Sequence, residues 1–99
     1  MRQVFEIEKI LPEREIETTK LNGQNDKMLV IGVVMVCAGA SMFAEMFGET
    51  AKAFKSEGCD KGTTLIANVE FKARSWQNAA GGTSYGTNVR ILDFTIIKN

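Results

Sequence analysis

The chain has no histidine, one proline, one tryptophan, one tyrosine and two cysteines, and its 12 basic residues are balanced by 12 acidic ones. Without histidine, the usual zinc sites, Ser-His and Cys-His nucleophile pairs and a histidine acid/base are excluded together. The acidic residues are scattered with no convergent pair, and no phosphate-cradling glycine loop is present. The chain therefore reads as no enzyme, with no metal and no cofactor expected. Cys37 and Cys59 are too few for a disulfide framework and read as free thiols in a reducing cytoplasm.

Zero net charge removes any long-range pull on polyanions. The two halves differ, however: residues 1–49 carry 5 basic and 8 acidic groups, net −3, whereas residues 50–99 carry 7 and 4, net +3. An anion-binding surface is expected mainly from the C-terminal half.

A membrane-length apolar helix is also missing. Met28 to Ala44 is uncharged for 17 residues, but at about 1.5 Å per residue a helix of that length falls short of a roughly 30 Å hydrocarbon core. Val30, Ile31, Val33, Val34 and Val36 are β-branched and Gly32 and Gly39 interrupt, so the run reads as buried strand, turn and second strand. The acidic N-terminal segment has no basic leader, and neither a secretory signal nor a membrane partner is expected.

What is present is a series of strand patterns. The first, Arg2 to Leu11, meets Pro12, which cannot donate into a ladder. Glu13 to Asp26 is polar, contains the turn signal Asn22-Gly23, and reads as a strand continuation followed by a long mobile loop. A second strand, about Lys27 to Val36, is apolar on both faces, as a central strand or one covered by a partner would be. The third, Ser41 to Phe47, puts Phe43, Glu45 and Phe47 on one side and Met42, Ala44 and Met46 on the other. Gly48 to Glu57 switches to helical spacing, with Ala51 and Phe54 on one face and Gly58 as a terminator.

In the fourth strand, Thr63 to Trp76, Leu65, Ala67, Val69, Phe71 and Ala73 alternate with Asn68, Glu70, Lys72, Arg74 and Trp76. The first set is expected in the core and the second, with both cations and the tryptophan, outside. After the loop Gln77 to Thr83, the last strand runs from Tyr85 to Ile97. Its inward pattern moves from Val89 and Ile91 to Leu92, Phe94 and Ile96, as a bulge near Ile91 would produce. The order strand, strand, strand, helix, strand, strand predicts an all-β fold, one domain over residues 1–99: a five-stranded OB-fold barrel, which binds oligonucleotides through its second and third strands and the loops 1-2 and 4-5.

Six features follow one another along the second half: Phe47-Gly48, an early-helix Ala51, Lys61-Gly62, the basic-x-basic-x-Trp element Lys72 to Trp76, Gly81-Gly82, and Tyr85, Thr87 and Val89 at alternate positions. In this series, from Phe47 to Val89, the chain resembles the bacterial single-stranded DNA-binding protein family. It departs from that family at Leu11-Pro12 and at Ser41, where the family carries an aromatic, and the family's glycine-rich tail and acidic tip are not expected here. The resemblance implies non-catalytic binding of single-stranded DNA, or of RNA, in replication, recombination or repair. It implies a homodimer or homotetramer assembled through the first strand or the apolar second one; tip-dependent partner recruitment is not expected, and the free thiols suit a cytoplasmic location.

Such binding needs cations along the phosphate path and aromatic faces for stacking. Trp76, Phe47 and Phe43 would supply faces; Lys72, Arg74 and Arg90 would supply charge, with Asn88 on the side of Arg90. Tyr85 is a further candidate for stacking. Four of the candidates also have a structural reading: Trp76 as a rim residue, Phe47 as core, Tyr85 as a hydroxyl anchor rather than a stacking ring, and Arg90 as the cross-strand partner of Glu70. The acidic run Glu13 to Glu17 is expected to point away from the groove. A barrel serving as a protein-interaction module with little nucleic-acid affinity stands as the alternative, favoured by the zero net charge and by Ser41.

Overall fold

In the computed structural model, which describes residues 2–99, the first strand is broken where proline requires it. β1 (Arg2–Ile10) stops before Leu11-Pro12, and pairing resumes as β2 (Arg14–Thr19). Both run along one partner, β3 (Asn25–Cys37), from Glu6↔Val36 to Thr19↔Asn25. The polar segment expected to hold a long loop is therefore mostly strand. Its turn is only Lys20 to Gln24, closed by Lys20 N–H to the Gln24 carbonyl at 2.7 Å and by Gly23 at φ 85°. β3 is apolar on both faces because it is central, with β1 and β2 on one side and β4 (Ala40–Phe47) on the other. Ala38 and Gly39, at φ 51° and 81°, make the two-residue turn whose hand suits the strand twist.

Helix α1 (Glu49–Ser56) follows Gly48 and ends before Gly58, whose φ of 70° is the left-handed terminator anticipated from the sequence. β5 (Thr64–Gln77) and β6 (Thr83–Lys98) form the longest hairpin. The sheet closes in the order β1-β5-β6-β4-β3-β1, with β2 appended to β3. Closure between β4 and β6 rests on one parallel pairing, Glu45↔Arg90. The result is a five-stranded OB-fold barrel with its helix between the third and fourth barrel strands.

Phe5, Ile7, Val33, Met35, Met46, Leu65, Val69 and Ile91 fill the barrel, and Ala51 and Phe54 plug one end. Each large side chain so buried contributes about 1.5 to 3 kcal/mol by removal from water. Phe54 meets Phe94 edge-on at 5.8 Å. The bulge in β6 is real: Asn68 pairs with Asp93 and Val69 with Ile91, leaving Leu92 as the extra residue. Leu92 is correspondingly exposed rather than inward, and its carbonyl accepts a hydrogen bond from Thr50 Oγ1 at 3.0 Å, tying the helix to the bulge.

The inward set of β5 ends earlier than its alternation suggests. Phe71 is 46% exposed and Ala73 is exposed, because eight further pairs, Glu70↔Arg90 to Gln77↔Thr83, carry the β5–β6 hairpin past the barrel as a two-stranded arm. Period-two patterning continues there with no core on either side. The radius of gyration, 15.2 Å, exceeds the roughly 13 Å of a compact 100-residue domain, in keeping with two projecting arms, β2–β3 and β5–β6. Among the described residues no helix is long and apolar enough to cross a membrane.

Candidate nucleic-acid interface

On the β5–β6 arm the register puts Glu70, Lys72, Arg74 and Trp76 opposite Arg90, Asn88, Gly86 and Ser84, all on one face. The Arg74 guanidinium carbon lies 4.6 Å from the centre of the Trp76 ring. Beneath the pair is Gly86, where a β-carbon would stand 3.2 Å from a Trp76 ring carbon and 3.3 Å from Arg74 Nε. The tryptophan is thus laid along the arm rather than standing off it, and 44% of it remains exposed. Tyr85 pairs with Ser75 and shares the opposite face with Phe71 and Val89. It is 78% exposed and does not join the Trp76 face.

The loop at the arm's tip is held by Asn78. Its Oδ1 accepts from the Ala80 and Gly82 N–H groups at 3.1 Å each, and its Nδ2 donates to Ser84 Oγ at 3.0 Å. An Asx-type turn of this kind organises the loop expected over Gln77 to Thr83.

The barrel wall continues the same face through the β4–β6 closure. Phe43, Glu45 and Phe47 point outward from β4. Phe43, about half exposed, covers Gly32 of β3. Arg90 is opposite Glu70 in the ladder and beside Glu45, yet its guanidinium lies over the Phe47 ring at 4.9 Å and forms no ion pair among the described residues. Glu45 instead accepts from Arg14 Nη2 at 2.6 Å. The Phe47–Arg90 stack divides a groove. Toward the β2–β3 arm lies a cavity of about 370 Å3, with Thr18, Asp26, Met28 and Lys52 on its walls. Toward the β5–β6 arm lies one of about 200 Å3, walled by Glu45, Glu70, Lys72, Asn88 and Arg90.

The acidic run splits by register. Arg14, Ile16 and Thr18 share the face of Val30 and Phe47, while Glu15 and Glu17 lie on the other face of the β2–β3 arm, and Glu13 pairs with Lys55 of α1 at 2.9 Å. At the groove's rim, a hydrogen bond from the Lys27 N–H, with the charge of Lys20, holds the Asp26 carboxyl below its ordinary pKa. Ser41 donates to Glu8 at 3.1 Å, so its position carries a carboxylate-bound hydroxyl and no ring.

Of the eight residues singled out from sequence, Lys72, Arg74, Trp76, Asn88 and Arg90 share the arm's groove face and Phe43 and Phe47 lie on the adjoining wall. Tyr85 is separated from them. The arrangement offers two cation–aromatic stacks, flanking cations and hydrogen-bonding side chains along one path, which suits stacked bases and a phosphodiester backbone. Sequence reasoning passed over Arg14, Gly86, Glu45 and Glu70 as parts of the groove. Glu70 had already been read on the outer face of its strand and Glu45 on the side of Phe43 and Phe47, so the period-two pattern was sufficient to find them. Arg14 was hidden inside an acidic run, and Gly86 carries no signal until its cross-strand partner is known.

No protein-family model and no curated protein sequence matches the chain. Solved structures do. The mitochondrial single-stranded DNA-binding protein of S. cerevisiae is similar at a TM-score of 0.61 and 17% identity, covering 100% of this chain and 94% of that one. Another crystal form of it gives 0.53 and 21%, with 100% and 95% covered. The second OB-fold domain of replication protein A from Methanococcus maripaludis gives 0.59 and 14%, with 99% and 83% covered. At these identities the likeness is one of fold, and it extends over the whole barrel and both arms.

Proposed function

We propose that this chain is a non-catalytic binder of single-stranded DNA, taking bases on Trp76 and Phe47 and phosphates on Lys72, Arg74 and Arg90. The observation that carries the reading is the Arg74–Trp76 stack on Gly86, on the same face as the Phe47–Arg90 stack. The names of its structural neighbours, a single-stranded DNA-binding protein and a replication protein A domain, support it. So does the motif resemblance to the bacterial single-stranded DNA-binding family. A role in replication, recombination or repair, as a cytoplasmic homodimer or homotetramer, follows from the same reading.

Titration with oligo-dT at two salt concentrations tests it. Quenching of Trp76 emission is expected, with an affinity that falls as salt rises; oligo-rU in parallel separates DNA from RNA. Absence of binding at low salt sinks the reading. That outcome would favour an OB-fold assembly module, which the carboxylates of Glu45 and Glu70 in the groove and the zero net charge support.

A further inference from the structure

Binders of single strands without sequence preference line the path with cations and rings. This groove has something else: two carboxylates in the cavity of about 200 Å3 beside the Phe47–Arg90 stack. Glu45 keeps Oε2 on Arg14. Glu70 has no ion pair among the described residues, since its ladder partner Arg90 has turned to Phe47. Directly across the arm from each other, Lys72 and Asn88 bring hydrogen-bond donors to the same cavity.

An ionised carboxylate accepts hydrogen bonds and repels phosphate, so a nucleotide enters this cavity base first. The bases differ in what they show to it. Thymine presents a single N–H between two carbonyls. Cytosine and adenine each present an amino group beside a ring-nitrogen acceptor. Guanine alone presents two adjacent donors, N1–H and N2–H, which match the two oxygens of one carboxylate. Its O6 and N7 acceptors then need donors, and Lys72 and Asn88 supply them.

Resting on the single-strand-binding reading above, we infer that this cavity is a base-reading subsite that prefers guanine, with Glu70 as its specificity-determining carboxylate. The base stacks against the Phe47–Arg90 layer, turns N1–H and N2–H to Glu70, and receives hydrogen bonds at O6 and N7 from Asn88 and Lys72, whose ammonium has three donors and keeps one for the backbone phosphate at the cavity mouth. The chain is then a single-strand binder with a base preference built into one position of its path.

The test compares a dT strand, the same strand with every third thymine replaced by guanine, and the same strand with inosine at those sites, which lacks the 2-amino group. Isolated guanines avoid quadruplexes. Wild-type protein is expected to bind the guanine strand roughly tenfold or more tightly than dT, with most of that gain lost on inosine. Glu70→Gln is expected to bring the guanine and thymine strands together while dT binding holds or rises, because a negative charge has left the groove. Equal binding of guanine and thymine strands by the wild type, full retention of the gain on inosine, or an unchanged preference in Glu70→Gln each overturns the inference while leaving single-strand binding intact. Failure to bind any strand overturns both. The inosine comparison uses only the wild-type chain and does not depend on the variant's folding.

Discussion

The Trp76 ring lies across Gly86 on the neighbouring strand, so close that a β-carbon at position 86 would meet ring carbons at 3.2 and 3.3 Å. Gly86 has no left-handed backbone requirement, and a strand position ordinarily prefers a β-branched residue. The glycine is there for the ring's sake.

Gly86→Val is accordingly expected to leave thermal stability unchanged or slightly raised while displacing the indole from Arg74. The tryptophan emission maximum should move to the red, and oligo-dT affinity should fall toward that of Trp76→Ala. A variant that binds as tightly as wild type would show that the ring's seat on the arm is irrelevant to binding.

The stacking and charge contributions are separable by salt. Trp76→Ala removes a face worth about 1 to 3 kcal/mol and is expected to shift affinity by that amount at every salt concentration. Lys72→Ala and Arg74→Ala are each expected to lower the slope of log affinity against log salt by roughly 0.7, the release expected for one single-strand phosphate contact. Because Arg74 also backs the indole, its loss should cost affinity at high salt as well, whereas the Lys72→Ala deficit should shrink there. Parallel salt titrations of the three variants check the pattern.

The barrel was legible because its evidence is local and periodic. Alternation over Thr63 to Val69, the switch to helical spacing at Gly48, the αL glycine at 58 and the inward shift in the last strand are each written in a few neighbouring residues, and each appears in the structure. Legibility failed where position depends on distant partners. Phe71 and Ala73 continue the pattern of Leu65, Ala67 and Val69, but whether a patterned face meets a core depends on where the other strands end. Likewise, residues 14–19 are polar because β2 is an arm strand with only β3 beside it, and polarity without burial resembles a loop. The groove was half legible: its cations and rings stood out by type, while Gly86 and the Arg14–Glu45 pair take their meaning from cross-strand neighbours.

Phe43 depends on a glycine too. A β-carbon on Gly32 would come within 2.9 Å of the Phe43 ring and 3.3 Å of Leu11 Cδ1. Gly32→Ala is expected to cost about 1 to 3 kcal/mol by overpacking, read as a lower urea midpoint. In a Phe43→Ala background the ring contact is gone, and the same substitution should cost less. Equal costs in the two backgrounds would place the strain on Leu11 instead of Phe43.

The barrel's far end has a pH signature. Cys59 borders the cavity formed by Ile10, Leu11 and Phe54, and burial, with the charge of Glu57 second, raises its thiol pKa above the ordinary value. A raised folded-state pKa means that the native fold favours the protonated thiol. Its stabilising contribution is complete below the unfolded-state pKa, about 8.5 for a free cysteine, and is lost as pH rises through the folded value. Since alkylation proceeds through the thiolate, the rate-against-pH curve of Cys59 in a Cys37→Ser background should have its midpoint above that of the same chain in urea. A folded-state midpoint at or below the unfolded one would mean that solvent reaches the thiol freely, and that the end plugged by Phe54 is open to water on the timescale of the reaction.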